Sequence, residues 1–302
     1  MDFKDDIKSA KPDISAGSLK TYNSLLRSVY KAVFKTTDKP DVKLFSKHDE
    51  DILKFLETKP FNVRKTYLAA LVAVAPLEKY KTMMLANIRE YEHQQSKSEL
   101  TTKLENSSIS KEEIDNIEKK LKSNAEAIMR KQSHRVADLM DVQNYIILSL
   151  YYGHIVPRRA LDYCDMLYQN YDPAKDNFID FKRNRFVFNR FKTAKFKGQQ
   201  TLDIPPALMK ILKKWVAIIP REVDNLLFNS NLEKLSNVTL NQRLNAIFGG
   251  AKSVNALRHF YLTSKYSDLM RETEQMSKEM EAMGSSKAQA NIYIKIHDKE
   301  KE

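Results

Sequence analysis

Cysteine is nearly absent from this chain. Cys164 stands alone, which excludes an internal disulfide and fits a reducing compartment. Glycine is scarce as well: there are six in 302 residues, none grouped into a loop that could cradle phosphates. The six histidines, His48, His93, His134, His154, His259 and His297, are scattered, without metal-ligand spacing among themselves or with Cys164. These absences argue against nucleotide hydrolysis and zinc hydrolysis, and no metal or other cofactor is expected. Long apolar runs are missing too. The longest, around Tyr67 to Leu77, falls short of the roughly 20 residues that a bilayer span requires. The start of the chain, with Asp2, Lys4, Asp5 and Asp6, lacks the apolar core of a signal peptide. The expectation is an intracellular protein with no membrane partner.

What is abundant is charge, mostly of one sign. Charged residues make up 30% and apolar residues 42%, a balance that folds rather than staying disordered. The formal net charge of +12 favours a polyanionic partner, DNA or RNA before an acidic membrane surface. A chain of this length holds two ordinary domains, each burying its own core.

Residues 1–17 read as a flexible lead-in. Apolar periodicity predicts helices over Ser18–Phe34, Glu50–Leu56 (with Ser46 ahead of it as a capping residue), Asn62–Val74 and Leu77–Glu92. The acidic cluster Asp49, Glu50, Asp51 sits at a helix start, where the helix dipole favours carboxylates; a metal site is the weaker reading. From Gln94 to Glu126 the chain is polar, charge-dense and free of aromatics, and Ser110 with Glu113 forms a capping-box pattern. It reads as a charged helical arm, solvated on most faces, that closes a helical N-terminal domain of residues 1–130. Residues 131–302 form the second domain. Its helices are expected at Val136–Tyr152, Arg159–Met166, Ala207–Trp215, Leu240–Phe248, Asn255–Tyr266 and Leu269–Met283. One small antiparallel hairpin is expected from strands at Arg185–Phe191 and Thr201–Ile204. The fold class is mainly α with that small antiparallel β element.

Four separated motifs carry chemistry. The first is Pro157-Arg158-Arg159-Ala160-Leu161-Asp162-Tyr163, after a break at Gly153. The second is Phe188-Asn189-Arg190-Phe191-Lys192-Thr193, followed by Gly198 and Leu202-Asp203-Ile204-Pro205. The third is Asn255-Ala256-Leu257-Arg258-His259. The fourth is Met283-Gly284-Ser285-Ser286, ending in Asn291-Ile292-Tyr293. Around the second motif, Lys182, Arg183, Arg185, Arg190, Lys192, Lys195 and Lys197 follow one another with no acidic residue between them. Phenylalanines interleave them, so one strand face can bury while the other meets phosphates.

In their order, Arg, Lys, Arg-His and a tyrosine near the end, these motifs resemble the catalytic domain of tyrosine recombinases (integrases), over roughly residues 131–297. Their phrasing is closest to viral and mobile-element branches of that family. The resemblance implies a two-domain clamp on double-stranded DNA, a homo-tetramer on that DNA, and strand cleavage and rejoining through a 3′-phosphotyrosyl bond. Carried over position by position, Arg159 is the first catalytic arginine, because the acidic residue three positions on falls at Asp162. Lys192 is the hairpin lysine, with Lys195 and Lys197 as weaker alternatives, Arg258 the second arginine and Tyr293 the nucleophile. Arg158, Lys182, Arg183, Arg185, Arg190, Lys195 and Lys197 fall to DNA binding. His259 reads as a neighbour of Arg258 on the DNA-facing side rather than a proton shuttle.

These residue types suit the chemistry. A pentacoordinate phosphorane carries extra negative charge, which guanidinium groups meet with fork-shaped pairs of hydrogen bonds. A phenol with a pKa of about 10 needs cationic neighbours to become a nucleophile. A lysine ammonium can protonate the departing 5′-oxygen, and the phosphotyrosyl bond stores the energy for religation. This chain departs from the family's pattern twice. Asn255 stands where a histidine is usual; it can donate a hydrogen bond but cannot shuttle a proton at neutral pH. Ser285 stands where histidine or tryptophan is usual and offers one bond of short reach. Two alternatives stay open: a type IB topoisomerase or telomere-resolvase-like enzyme, and a catalytically impaired DNA-binding protein of the same fold.

Overall fold

Apolar residues recurring every three or four positions make most of the chain helical. The fold is seen in a computed structural model that describes residues 2–35, 40–96 and 108–286. The chain divides into two compact units, residues 1–100 and 101–302.

The first unit is all helix: α1 (Lys4–Ala10), α2 (Ala16–Phe34), α3 (Leu44–Lys47), α4 (Asp49–Glu57), α5 (Phe61–Val74) and α6 (Glu78–Ser96). The flexible lead-in expected over residues 1–17 is instead anchored, from residue 2 on, by two buried apolar side chains. Phe3 and Ile7 are fully buried, and the Phe3 N–H donates to Asn23 Oδ1 at 2.8 Å. Phe3 joins Tyr30 and Phe45 in an aromatic cluster with ring centroids 5.4–5.9 Å apart. Ser46 is not a cap; it lies within α3, and His48 takes the position before α4. The three carboxylates Asp49, Glu50 and Asp51 do occupy the first turn of α4, and Asp49 is ion-paired to Lys79.

The second unit begins with α7 (Lys111–Met129) and α8 (Val136–Tyr151). The capping box at Ser110 and Glu113 is present: Ser110 Oγ accepts from the Glu113 N–H at 3.0 Å. The apolar positions Ile114, Ile117, Leu121, Ala125 and Ile128 pack into the core of this unit, so α7 is built into it. Then come α9 (Ala160–Cys164), β1 (Met166–Leu167), β2 (Asn177–Asp180), β3 (Arg185–Phe188), α10 (Ala194–Lys197), β4 (Gln200–Asp203), α11 (Pro206–Val216), α12 (Asn237–Phe248) and α13 (Val254–Ala282).

The sheet corrects the expected antiparallel hairpin. It has four strands in the order β1-β2-β3-β4; β2–β3 and β3–β4 are antiparallel, whereas β1 runs parallel to β2. A two-residue strand carries no period to read, so Met166–Leu167 gave no sequence signal. The core is pinned by buried polar bonds. Gln143 exchanges two 2.8 Å hydrogen bonds with the Phe228 backbone, and Trp215 stacks on Phe228 while its indole N–H donates to the Leu226 carbonyl. A second correction concerns the last helix. Where the sequence suggested two helices broken between Tyr266 and Leu269, α13 runs unbroken for 29 residues. Ser267 and Asp268 are poor helix formers but neither is a breaker.

Candidate active site: a basic cleft in the second unit

Pro157 ends the loop after Gly153, and Arg159 takes the position just before α9. An extended backbone there leaves its side chain exposed at the helix start. It lines a cleft of about 700 Å³ together with Arg190, Phe191 and Lys192 from the β3–β4 connection. The lining also includes Asn237 and Asn241 of α12 and Ser253, Val254 and Asn255 at the start of α13. Arg159, Lys192 and Asn255, distant in sequence, are thereby brought together with Arg190.

The electrostatics of the cleft are one-sided. Two carboxylates line it, Asp162 and Asp165, and each is paired: Asp162 with Arg158 at 2.8 Å, Asp165 with Lys234. Burial pushes the Asp162 carboxyl above its usual range, against the opposing pull of Arg158 and Arg159. Arg190 makes only a long contact with Asp176, at 3.8 Å. The N-termini of α12 and α13 also face the cleft and add partial positive charge. Ser236 and Ser253 cap them, and Asn241 Oδ1 accepts from the Val254 N–H at 3.1 Å, tying one helix start to the other. Such an arrangement suits an anion with several oxygens.

Arg258 lies one turn beyond Asn255 on the same helix, half-buried, and donates to Asn255 Oδ1 at 3.4 Å. Its charge is felt by Tyr151, whose hydroxyl burial pushes well above the ordinary phenol range and Arg258 pulls weakly back. His259 is exposed next to it. Ser285 is not in the cleft. It follows the far end of α13, where its N–H donates to the Met280 carbonyl at 2.8 Å. At about 1.5 Å per residue, the helix from Asn255 to its end at Ala282 spans roughly 40 Å. Tyr293 lies outside the described residues.

The basic run divides in a way the sequence did not indicate. Lys182 and Arg183 sit exposed at the β2–β3 turn, and Arg183 and Arg185 both pair with Asp180 at 3.4 Å. Lys192, Lys195 and Lys197 are exposed on the β3–β4 connection with Phe196, whose side chain is 86% exposed. Arg158 turns inward instead. It donates from Nε to Asp162 and from Nη1 to Gln200, and packs its guanidinium on the Phe188 ring.

One important residue escaped the sequence reading. Asn177 is fully buried, and all four hydrogen bonds of its amide are made. Its Oδ1 accepts from the Asn189 and Arg190 N–H groups at 2.9 and 2.7 Å; its Nδ2 donates to the Arg190 and Asp162 carbonyls at 2.8 and 3.1 Å. It ties α9 to the root of the Lys192 loop. The available signal was a lone amide opening the apolar strand Asn177-Phe178-Ile179.

No protein-family model matches this chain, and no curated protein does. A solved structure titled "Crystal structure of XerA recombinase" is 12% identical to it, covering 87% of this chain and 83% of that one, with a TM-score of 0.36. At that level of likeness the functional reading rests on the cleft alone. Among the described residues no helix is long and apolar enough to cross a membrane, and no group of histidine, cysteine and carboxylate side chains could hold a metal ion.

Proposed function

We propose that the second unit cleaves and rejoins DNA strands as a site-specific tyrosine recombinase, with the first unit as a second DNA-binding module and four copies acting on two duplexes. The observation that carries this reading is the meeting of Arg159, Lys192 and Asn255 in one cation-rich cleft whose carboxylates are already paired. In this scheme the scissile phosphate lies between Arg159 and Asn255, with Arg258 reaching it from the next turn. The Tyr293 hydroxyl releases its proton to solvent as its oxygen attacks phosphorus; a 3′-phosphotyrosyl bond forms as the bond to the 5′-oxygen breaks, and that oxygen leaves with a proton from Lys192, which solvent then reprotonates. Religation runs the same steps backwards, so no cofactor is needed.

The continuous α13 bears on how Tyr293 arrives. It lies eight positions after Ser285, about 28 Å when fully extended, which is less than the length of the helix between Ser285 and the cleft. The tyrosine therefore comes from a second copy, or α13 opens between Tyr266 and Leu269 and brings it back in the same chain. Trapping on a nicked suicide duplex, with peptide mapping of the adduct, tests the function: a covalent adduct on Tyr293 is expected. No adduct on any tyrosine would leave a DNA-binding protein without strand transfer. Mixing Tyr293→Phe with Arg258→Ala protein separates the two routes. Restored adduct means delivery from a second copy, and none means delivery within one chain. Supercoil relaxation by a monomer without a specific site would turn the reading to a topoisomerase.

A further inference from the structure

We propose that Arg158 is a positioning residue that makes no contact with DNA: its guanidinium is a strut setting the spacing between the wall that carries Arg159 and the loop that carries Lys192. The inference rests on the recombinase reading for its consequence, but its geometry stands without it.

The side chain of Arg158 is only 17% exposed, although arginine is among the residues least often buried. Two of the three guanidinium nitrogens are hydrogen-bonded, and the group lies over an aromatic ring. Nε donates to Asp162 Oδ2 at 2.8 Å, across one turn of α9, to a carboxylate that is itself buried. Nη1 donates to Gln200 Oε1 at 3.1 Å, at the first residue of β4. The guanidinium carbon lies 3.9 Å from the centre of the Phe188 ring, at the end of β3, and 5.2 Å from that of the Phe191 ring. Arg159 lines the cleft and Arg158 is not among its lining residues.

Those partners lie on both sides of the connection that holds Lys192. Phe188 closes β3, Gln200 opens β4, and Phe191 is the immediate neighbour of Lys192. Asn177 fixes the root of the connection through Asn189 and Arg190. Arg158 grips the next residue along, Phe191, and the place where the chain re-enters the sheet. A planar fork that bonds along its edge and stacks on its face does this where an ammonium cannot: lysine would keep the charge beside Asp162 but lose the second bond and the ring contact. Arg158 and Arg159 are adjacent and chemically identical, yet one belongs to the interior and the other to the cleft.

The test compares Arg158→Lys, Gln200→Ala and wild type in three measurements. First, DNA affinity is measured against salt; a positioning residue leaves the log-log slope unchanged, whereas loss of a phosphate contact lowers it by about one. Arg158→Gln, which removes the charge, serves for this slope provided it folds. Second, adduct formation on a suicide duplex is expected to fall about tenfold or more in Arg158→Lys, because small misplacements of a catalytic group are costly. Adding Lys192→Ala to Arg158→Lys should lower it no further than Lys192→Ala alone. Third, trypsin nicking after Lys192, read by mass spectrometry, should speed several-fold in both Arg158→Lys and Gln200→Ala at a temperature where the proteins stay folded. A slope reduced by one, an unchanged adduct rate beside an active wild type, or unchanged nicking would each overturn the strut. An inactive wild type with faster nicking in the variants would leave the strut standing and remove the recombinase reading instead.

Discussion

The two ends of α13 are held in different ways. Its first two turns are built into the core: Val254, Ala256 and Leu257 are buried, Ser253 caps the helix, and Asn241 holds its first N–H. Beyond Tyr261 the helix carries apolar side chains that the described residues leave open, with Leu262 53%, Leu269 56% and Met270 55% exposed; Met280 is the buried exception. The same helix is thus fixed by tertiary packing where it meets the cleft and by local backbone bonding farther out. The difference teaches where rigidity is placed. Asn255 and Arg258 stand on the packed end, where a side chain can be aimed. The open end has the weaker hold on its geometry, and it leads towards Tyr293.

The largest expected effect lies past the open end. On the proposed mechanism, Tyr293→Phe should abolish covalent adduct while leaving folding and DNA affinity intact, because in-line attack needs a positioned oxygen and among the described residues no tyrosine lines the cleft; adduct persisting in a gel-shift trap would move the nucleophile elsewhere. At the packed end, Arg258→Ala, and Arg159→Ala across the cleft, should each lower the cleavage rate by about 10²-fold, as loss of single transition-state donors does. Binding to uncleaved duplex should fall much less, and equal losses in binding and cleavage would make these arginines mere anchors. The next comparison is in stability. Leu257→Ala removes a fully packed side chain and should cost about 2–4 kcal/mol in a urea titration, whereas Leu269→Ala should change it by no more than about 0.5 kcal/mol. Similar costs would mean the open end is covered in solution. The smallest effect is the sharpest on helix continuity. Ser267→Gly lowers helix propensity by about 0.5 kcal/mol, so amide exchange across residues 262–282 should quicken while that of 254–258 stays as it was. No quickening would show that packing, rather than local bonding, holds the outer turns.

Much of the secondary structure was legible because amphipathic periodicity and capping residues are local signals. The helices Ala16–Phe34, Phe61–Val74 and Val136–Tyr151 lie within two residues of their sequence expectations, and the Ser110–Glu113 box stands as read. The composition fixed the sign of the charge, and the order of the motifs named the groups worth following. What tertiary structure decided is where those groups go. Phe3 and Ile7 order a segment whose polarity suggested a loose end, because one buried ring outweighs several solvated carboxylates. Met166–Leu167 becomes a strand because β2 offers it an edge. Spacing to Asp162 singled out Arg159 in the sequence, but that Arg158 turns inward was not legible there; a neighbouring carboxylate, amide and ring draw it in, and the start of α9 turns Arg159 to the cleft. Charge and periodicity act over one or two turns and are written in the chain, whereas the partner that satisfies a buried polar group arrives from a distant segment and exists only once the fold has brought it there.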